Sequence, residues 1–259
     1  MASALDRFLG APLKRSPLYE AFRKRIAPHK GVRVLHVKSP VPKELVARVV
    51  SSTSVPFVLR VAVGLAFAGM LRVSEYTPPD ELALFDPAYH LTRADIVVNP
   101  SLASAVMRIK GGKTDIARQG AQVPFVATQP AALCCVAGLV AYVRWFDATQ
   151  RPRNGPFFLF EDGSPMQRFH VSDVLKQLGV GLGFTASELA SHSLRHGGAM
   201  ALCEAGMDWE TICTRGRWSL RSANAMAVRY ARFSVARVHR VASALNLSGP
   251  SAYVFPQVF

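Results

Sequence analysis

Two apolar runs, residues 61–71 and 131–143, constrain the fold of this chain more than any other feature of its sequence. Each is shorter than the ~20 residues that a helix needs to cross a bilayer, so neither predicts a membrane span. Each has a length typical of a buried helix. Hydrophobic residues make up 50% of the 259 residues and charged residues 19%, which is typical of a globular protein with a real core.

The charge balance indicates a polyanionic partner. Lysine and arginine number 31 against 17 acidic residues, which gives a net charge of +14. Such an excess favours nucleic acid as the first candidate partner and an anionic membrane surface as the second. Asp6 and Arg7 precede any apolar run, so the first residues do not predict a signal peptide. The four cysteines form neither a CxxC pair nor a disulfide framework, which favours a reducing, intracellular setting and no metal site: Cys134, Cys135, Cys203 and Cys213.

Periodicity and turn residues predict a mainly helical chain with a few short strands. Residues 1–40 are basic and interrupted by proline, which fits either a DNA-contacting arm or a solvated basic tail. The predicted strands lie at 91–98, 105–109 and 121–126. Thr185 or Ser187 is predicted to cap the helix that contains residue 192. The other predicted helices lie at 42–52, 55–71, 130–146, 169–178 and 209–216.

Two pairs of polar residues share a three-residue spacing. His192 and Arg195 lie in SHSLRH, and that spacing on a helix places both donors on one face, where an arginine fork suits phosphate oxygens. Arg72 and Glu75 lie in GMLRVSE with the same spacing. Taken alone, Arg72 and Glu75 could equally be a local ion pair that closes a helix end. A Gly-Arg-Trp-Ser turn that contains Trp218 follows the first pair.

Together these motifs resemble the catalytic domain of the tyrosine recombinases, also called phage integrases. The resemblance covers roughly residues 55–232 and includes Tyr230 in Val-Arg-Tyr-Ala-Arg. It implies an α+β, mainly α-helical fold with a small antiparallel sheet, whose hairpin carries a lysine into the active site. Lys113 is the better match for that lysine, and Lys110 is the reserve. The implied catalytic set is Arg72, Lys113, His192, Arg195, Trp218 and Tyr230.

The resemblance also implies an activity and a set of partners. A tyrosine recombinase cleaves and rejoins double-stranded DNA through a 3′-phosphotyrosyl intermediate, without metal or other cofactor, as a homo-tetramer assembled on the DNA. We therefore expect a location in the nucleus if the source is eukaryotic, and otherwise in the cytoplasm or nucleoid, with no membrane partner. The Gly-Arg-Trp-Ser form, with Trp218 at a position that more often holds histidine, resembles recombinases of eukaryotic mobile elements.

Two departures from the family pattern leave alternatives open. Tyr230 lies twelve residues after Trp218, a longer interval than most members have, and Tyr253 is the reserve nucleophile. Residues 1–50 are too few for the usual DNA-clamping domain, so the clamp is reduced to a basic arm there, supplied in trans, or lost. The catalytic domain with its C-terminal tail is predicted in 51–259. One alternative function is a type IB topoisomerase-like enzyme that relaxes DNA. The other is a non-catalytic DNA-binding relic of a mobile element.

Overall fold

The computed structural model describes residues 38–111 and 119–218. The chain divides into two compact units, residues 1–38 and 39–259, and every element described below belongs to the second unit. Its helices are α1 (Lys43–Ser51), α2 (Phe57–Ala68), α3 (Cys135–Ala148), α4 (Arg168–Val180), α5 (His192–Glu204) and α6 (Trp209–Gly216). Its strands are β1 (Ile96–Val98), β2 (Ser104–Ile109) and β3 (Ala121–Val126). No helix in these two described ranges is long and apolar enough to cross a membrane.

Helix α2 lies at the centre of the core. Residues from Val58 to Ala66 are buried along nearly its whole length, apart from Arg60. Helices α1, α3 and α5 all pack against it. A helix that is apolar on every side is stable only when other elements surround it, so this packing follows from the composition of α2. The prediction of buried helices is confirmed by α2 and α3 for most of each run. The helix predicted from residue 130 begins only at Cys135, because Ala131–Leu133 form an exposed 3-10 turn.

The three strands form one antiparallel sheet in the order β1-β2-β3. Met107 of β2 faces Ile96 on one side and Val123 on the other, and all three side chains are buried. Residues between them along the strands point outward, as the two-residue period of a strand requires. The predicted fold class, mainly helical with a small antiparallel sheet, is confirmed.

Several local predictions are wrong. The strand predicted at 91–98 is a 3-10 turn at Arg93–Asp95 followed by the short strand β1. Helix α2 ends at Ala68 and does not reach residue 71, because Met70 adopts a left-handed backbone (φ 47°) that no helix can continue through. The predicted cap of α5 by Thr185 or Ser187 is also absent. Thr185 instead donates its backbone N–H and its hydroxyl to the Glu188 carboxylate, at 2.8 and 2.9 Å, and so closes a separate turn before α5 begins.

The domain boundary near residue 50 stays a prediction. Helix α1 runs through this boundary and places Leu45 and Val49 fully inside the core described above.

Candidate active site

The C-terminal end of α2 is the point where the two sequence motifs meet. Its last turn closes as a Schellman motif, in which the Leu71 N–H binds the Ala66 carbonyl at 2.9 Å and the Met70 N–H binds the Phe67 carbonyl at 3.2 Å. The next three carbonyls along the chain accept hydrogen bonds from arginine side chains. Arg215, in the last turn of α6, binds the Ala68 carbonyl, and Arg217, directly after α6, binds the Gly69 carbonyl. Arg195 of α5 binds the Met70 carbonyl. Distant parts of the sequence therefore complete this helix end.

Arg72 and Glu75 form a closed turn directly after this helix end. The residues were predicted to share a helix face, but Arg72 has an extended backbone and Glu75 ends a short 3-10 turn. The Glu75 carboxylate accepts the Arg72 backbone N–H at 2.7 Å and its Nη1 at 2.8 Å. The Glu75 side chain is only 2% exposed, whereas the Arg72 side chain is 28% exposed. The guanidinium of Arg72 can therefore be reached by a ligand while its partner stays fixed.

Arg195 joins α5 to the ends of both α2 and α6. It is 2% exposed, and its Nη1 and Nη2 donate to the backbone carbonyls of Met70 and Gly216. Its guanidinium carbon lies 5.2 Å from the centre of the Trp218 ring, a distance typical of a cation–π contact. Arg195 thus brings Trp218 and the end of α2 into one cluster.

Helix α6 ends in a left-handed residue that turns two side chains towards α2. Arg217 has φ 54° and ψ 44°, and its N–H binds the Thr214 carbonyl at 3.0 Å. The Trp218 ring then lies directly over Gly216, where a Cβ would come within 2.8 Å of the ring. Trp218 also stacks on Trp209, with the centres of the two rings 6.1 Å apart. Glycine at 216 is therefore required for the tryptophan to reach Arg195.

Two arginines of this turn were not among the predicted site residues. Arg217 donates to the Glu75 carboxylate at 2.6 Å and to the carbonyls of Gly69 and Met70, both at 3.1 Å. Arg215 binds the Ala68 carbonyl at 2.8 Å and the Pro124 carbonyl at 2.7 Å, which ties α6 to both α2 and β3. The only sequence signal for them was the Arg-Gly-Arg-Trp run itself, whose backbone turn cannot be deduced from residue types alone.

The cluster carries a clear excess of positive charge. Four guanidinium groups but only one of the carboxylates named above, that of Glu75, lie at the end of α2: Arg72 and Arg217 bind Glu75, and Arg195 and Arg215 bind backbone carbonyls. Burial lowers the pKa of Arg217, and the neighbouring charge of Arg72 lowers it further, against the opposite effect of Glu75. Burial likewise lowers the pKa of Arg215. Like charges crowded in this way attract an anion, and a phosphate matches their hydrogen-bonding geometry.

Comparison with solved structures places this geometry on a known fold. The XerH site-specific recombinase bound to palindromic difH substrate superposes with a TM-score of 0.56 at 17% identity, over 80% of this chain and 53% of XerH. The XerA recombinase gives 0.55 at 14% identity, over 80% and 65% of the two chains. A lambda integrase dimer bound to a COC′ core site gives 0.51 at 18% identity, over 82% and 69%.

The chain has the tyrosine-recombinase catalytic-domain fold. It spans about half the length of XerH and about two thirds of the length of XerA. No family model matches the sequence, and no curated protein shows significant sequence similarity to it. The resemblance of fold predicted from the motifs is therefore confirmed by structure and not by sequence similarity.

Of the other predicted site residues, only His192 lies in the described part of this tyrosine-recombinase fold. His192 is the first residue of α5, with an exposed side chain whose ring packs edge-on against that of His196 at 4.4 Å. Lys113 and Tyr230 lie outside the described residues, as does the reserve nucleophile Tyr253.

Among the described tyrosines, Tyr76 and Tyr142 are poor nucleophiles. They are 2% and 1% exposed, and burial raises the pKa of both phenols. The Tyr142 hydroxyl also donates towards the carbonyls of Phe157 and Leu159, at 3.1 and 3.0 Å. Neither phenol can reach a DNA strand without unfolding.

Lys110, the reserve for the hairpin lysine, is held at the base of the hairpin. Its ammonium group pairs with the Asp95 carboxylate at 2.6 Å and donates to the carbonyls of Pro87 at 2.5 Å and His90 at 3.0 Å. The two charged side chains are 14% and 4% exposed. These contacts fix β2 to the segment before β1 and favour a structural role for Lys110.

We expect Lys110→Met to lower the free energy of unfolding by about 2 kcal/mol, because it leaves the Asp95 carboxylate buried without its counter-charge. Urea denaturation measures the change, and the double variant Lys110→Met/Asp95→Asn should recover part of it. Lys176→Met is the matched control, because it removes an exposed ion pair with Asp173 and should change stability by less than about 1 kcal/mol. Equal stability of Lys110→Met and wild type would contradict the structural role.

Proposed function

We propose that this protein is a tyrosine recombinase, an enzyme that cleaves and rejoins double-stranded DNA through a covalent bond between a tyrosine and the 3′ phosphate. One observation carries the proposal. Arg72 and Arg195, 123 residues apart in the chain, converge on the same helix end together with Trp218. The matched XerH and lambda integrase structures contain bound DNA, and this supports DNA as the substrate.

The arginine cluster would bind the scissile phosphate. Arg72 offers a partly exposed guanidinium anchored by a buried carboxylate, so its charge is positioned before the ligand arrives. Arg195, buried against the end of α2, would add positive charge. Each of its Nη atoms carries two hydrogens, so each can donate a second hydrogen bond besides the one to a carbonyl. Together they would stabilise the negative charge that develops on the oxygens of a five-coordinate phosphorus.

Tyr230 is the proposed nucleophile. A free tyrosine has a pKa of about 10 and is protonated at neutral pH, so the Tyr230 phenol must lose a proton as its oxygen attacks phosphorus. His192, exposed at the start of α5, would assist that proton transfer and orient the phosphate. Lys113 would protonate the departing 5′ oxygen, and the Trp218 indole N–H would donate to the phosphate. The phosphotyrosyl bond conserves the energy of the broken phosphodiester, so rejoining requires neither ATP nor metal.

Recombination exchanges four strands, and each strand needs its own nucleophile. We therefore propose that the working assembly contains four copies of this chain on two DNA sites. In this proposal residues 1–50 contribute contacts to the DNA and residues 51–259 form the catalytic domain. Because phosphate contacts release bound counterions, affinity for DNA should fall steeply as salt rises.

Covalent trapping tests the proposal. Labelled DNA from the flanks of the gene is nicked so that cleavage frees a short leaving strand and rejoining is prevented. Wild-type protein should form a denaturant-resistant protein–DNA band without metal or ATP, and Tyr230→Phe should form none, because it lacks the attacking oxygen. Tyr253→Phe is the matched control and should give the wild-type band.

A band that persists in Tyr230→Phe and is lost in Tyr253→Phe would move the nucleophile to Tyr253. No band on flank DNA that the wild-type protein demonstrably binds, as measured by gel shift, would overturn the enzymatic proposal. A topoisomerase-like enzyme would instead relax a supercoiled plasmid without any requirement for paired sites.

A further inference from the structure

Arg217 links the Arg72–Glu75 turn to the C-terminal end of α2. Its Nη2 bonds at once to the Glu75 carboxylate, at 2.6 Å, and to the Met70 carbonyl, while its Nη1 reaches the Gly69 carbonyl. The Glu75 oxygen that it binds is the same Oε2 that accepts the Arg72 backbone N–H. Arg217 therefore touches the group that orients Arg72, and the Arg72 side chain is more exposed than those of Arg195 and Arg217.

The backbone of Arg217 is adapted to this contact. It is a non-glycine residue in the left-handed region, where most side chains are disfavoured by roughly 1 kcal/mol or more. Glycine would be the ordinary choice at the residue that ends a helix in this way. The side chain that replaces it makes four hydrogen bonds, including one to the Arg215 carbonyl, and is only 15% exposed. These bonds offset the backbone cost.

The charges give Arg217 a second consequence. Without Arg217, the Glu75 carboxylate would pair with the Arg72 guanidinium alone, and this pair would be neutral. With it, the Glu75 charge is shared between two cations, one on each carboxylate oxygen. The Arg72–Glu75–Arg217 group then keeps a net positive charge next to the position where a phosphate would bind.

We infer that Arg217 is a positioning residue for the proposed strand cleavage: it fixes the Glu75 carboxylate and thereby orients the Arg72 guanidinium towards the scissile phosphate. This inference rests on the proposed function. It assigns no contact between Arg217 and DNA. Arg217 acts on the reaction through Glu75, and its effect should disappear when Glu75 no longer carries a charge.

A double-mutant cycle tests this coupling. The variants are Arg217→Met, Glu75→Gln and the two combined, each compared with wild type for the single-turnover rate of adduct formation on saturating nicked DNA and for DNA affinity by fluorescence anisotropy. A misplaced catalytic group commonly costs about 100-fold in rate, so we expect a loss of that order for Arg217→Met with affinity changed less than about threefold. Because both changes break one linkage, the double variant should be no slower than the slower single variant.

Arg215→Met supplies the matched control. Arg215 fastens the same turn to the end of α2 through the Ala68 carbonyl but makes no hydrogen bond to Glu75 among the described contacts. Its effect on the rate should therefore multiply with that of Glu75→Gln. Arg217→Lys keeps the positive charge beside Glu75 and should restore part of the rate lost in Arg217→Met. If Arg217→Met does not fold, the rate and affinity of Arg217→Lys, with and without Glu75→Gln, replace it in the cycle.

The outcomes separate this inference from the proposed function. If wild type forms no Tyr230-dependent adduct, the proposed function fails. If wild type forms it and Arg217→Met reacts at the wild-type rate, or if its loss multiplies with that of Glu75→Gln, only the positioning role is overturned. A parallel fall in rate, affinity and melting temperature would also overturn it, because that pattern belongs to a purely structural arginine.

Discussion

Arg195→Ala is expected to lower the free energy of unfolding by about 3 to 5 kcal/mol and to abolish adduct formation. Arg195 is among the largest fully buried side chains described, and it satisfies the carbonyls of Met70 and Gly216. Alanine leaves a cavity under Trp218, removes the Arg195 bond to the Gly216 carbonyl and leaves the Met70 carbonyl with its bond from Arg217 alone. Urea denaturation followed by tryptophan fluorescence measures the loss.

Arg195→Met controls for volume. Methionine fills much of the space but donates no hydrogen bond, so it should recover part of the cavity cost while adduct formation stays absent. Arg195→Ala with wild-type stability would show that the two carbonyls do not depend on this side chain.

Gly198→Ala is expected to destabilise the protein by about 2 to 3 kcal/mol, although alanine is the better helix former. A Cβ at this position of α5 would lie 2.4 Å from the Phe67 carbonyl oxygen and 2.9 Å from the Met70 side chain. Backbone cannot move aside as a flexible side chain can, so α5 would be pushed away from α2. The same shift would separate Arg195 from the Met70 carbonyl and slow adduct formation.

The matched control for this substitution is Gly138→Ala in α3. A Cβ there would meet only the Val61 side chain, at 3.6 Å, which is ordinary contact. Helix propensity should then dominate, and the variant should be more stable than wild type by up to about 1 kcal/mol. Thermal unfolding of both variants measures the difference. A loss in Gly138→Ala as large as in Gly198→Ala would contradict the close approach of α2 and α5.

The helices and strands could be predicted because their signals are local. The apolar run of α2 needs to be buried on all sides, and the strand β3 was predicted with the bounds that the structure has, Ala121–Val126. The end of α2 could not be predicted, because it depends on a left-handed Met70 whose side chain is fully buried. Tertiary packing stabilises that conformation, and residue type alone would have suggested glycine.

The candidate site likewise contains residues that could be predicted from the sequence and residues that could not. Arg72, Glu75 and Arg195 could be singled out because their spacing and order resemble a known pattern. Arg217 could not, since its importance arises from a backbone turn and from an acceptor 142 residues earlier in the chain. Catalytic residues are easier to predict from a sequence than the residues that position them, because positioning depends on distances in the folded structure.

The carbonyls at the end of α2 have a consequence for synthesis of the protein. Arg195, Arg215 and Arg217 complete a helix end that lies well over a hundred residues earlier in the chain. At translation rates of about 5 to 20 residues per second, the interval between Met70 and Arg217 lasts on the order of ten seconds. During that time the nascent chain contains Arg72 but not yet Arg217. The phosphate-binding cluster therefore comes into existence late, only after the ribosome has released the segment that assembles it.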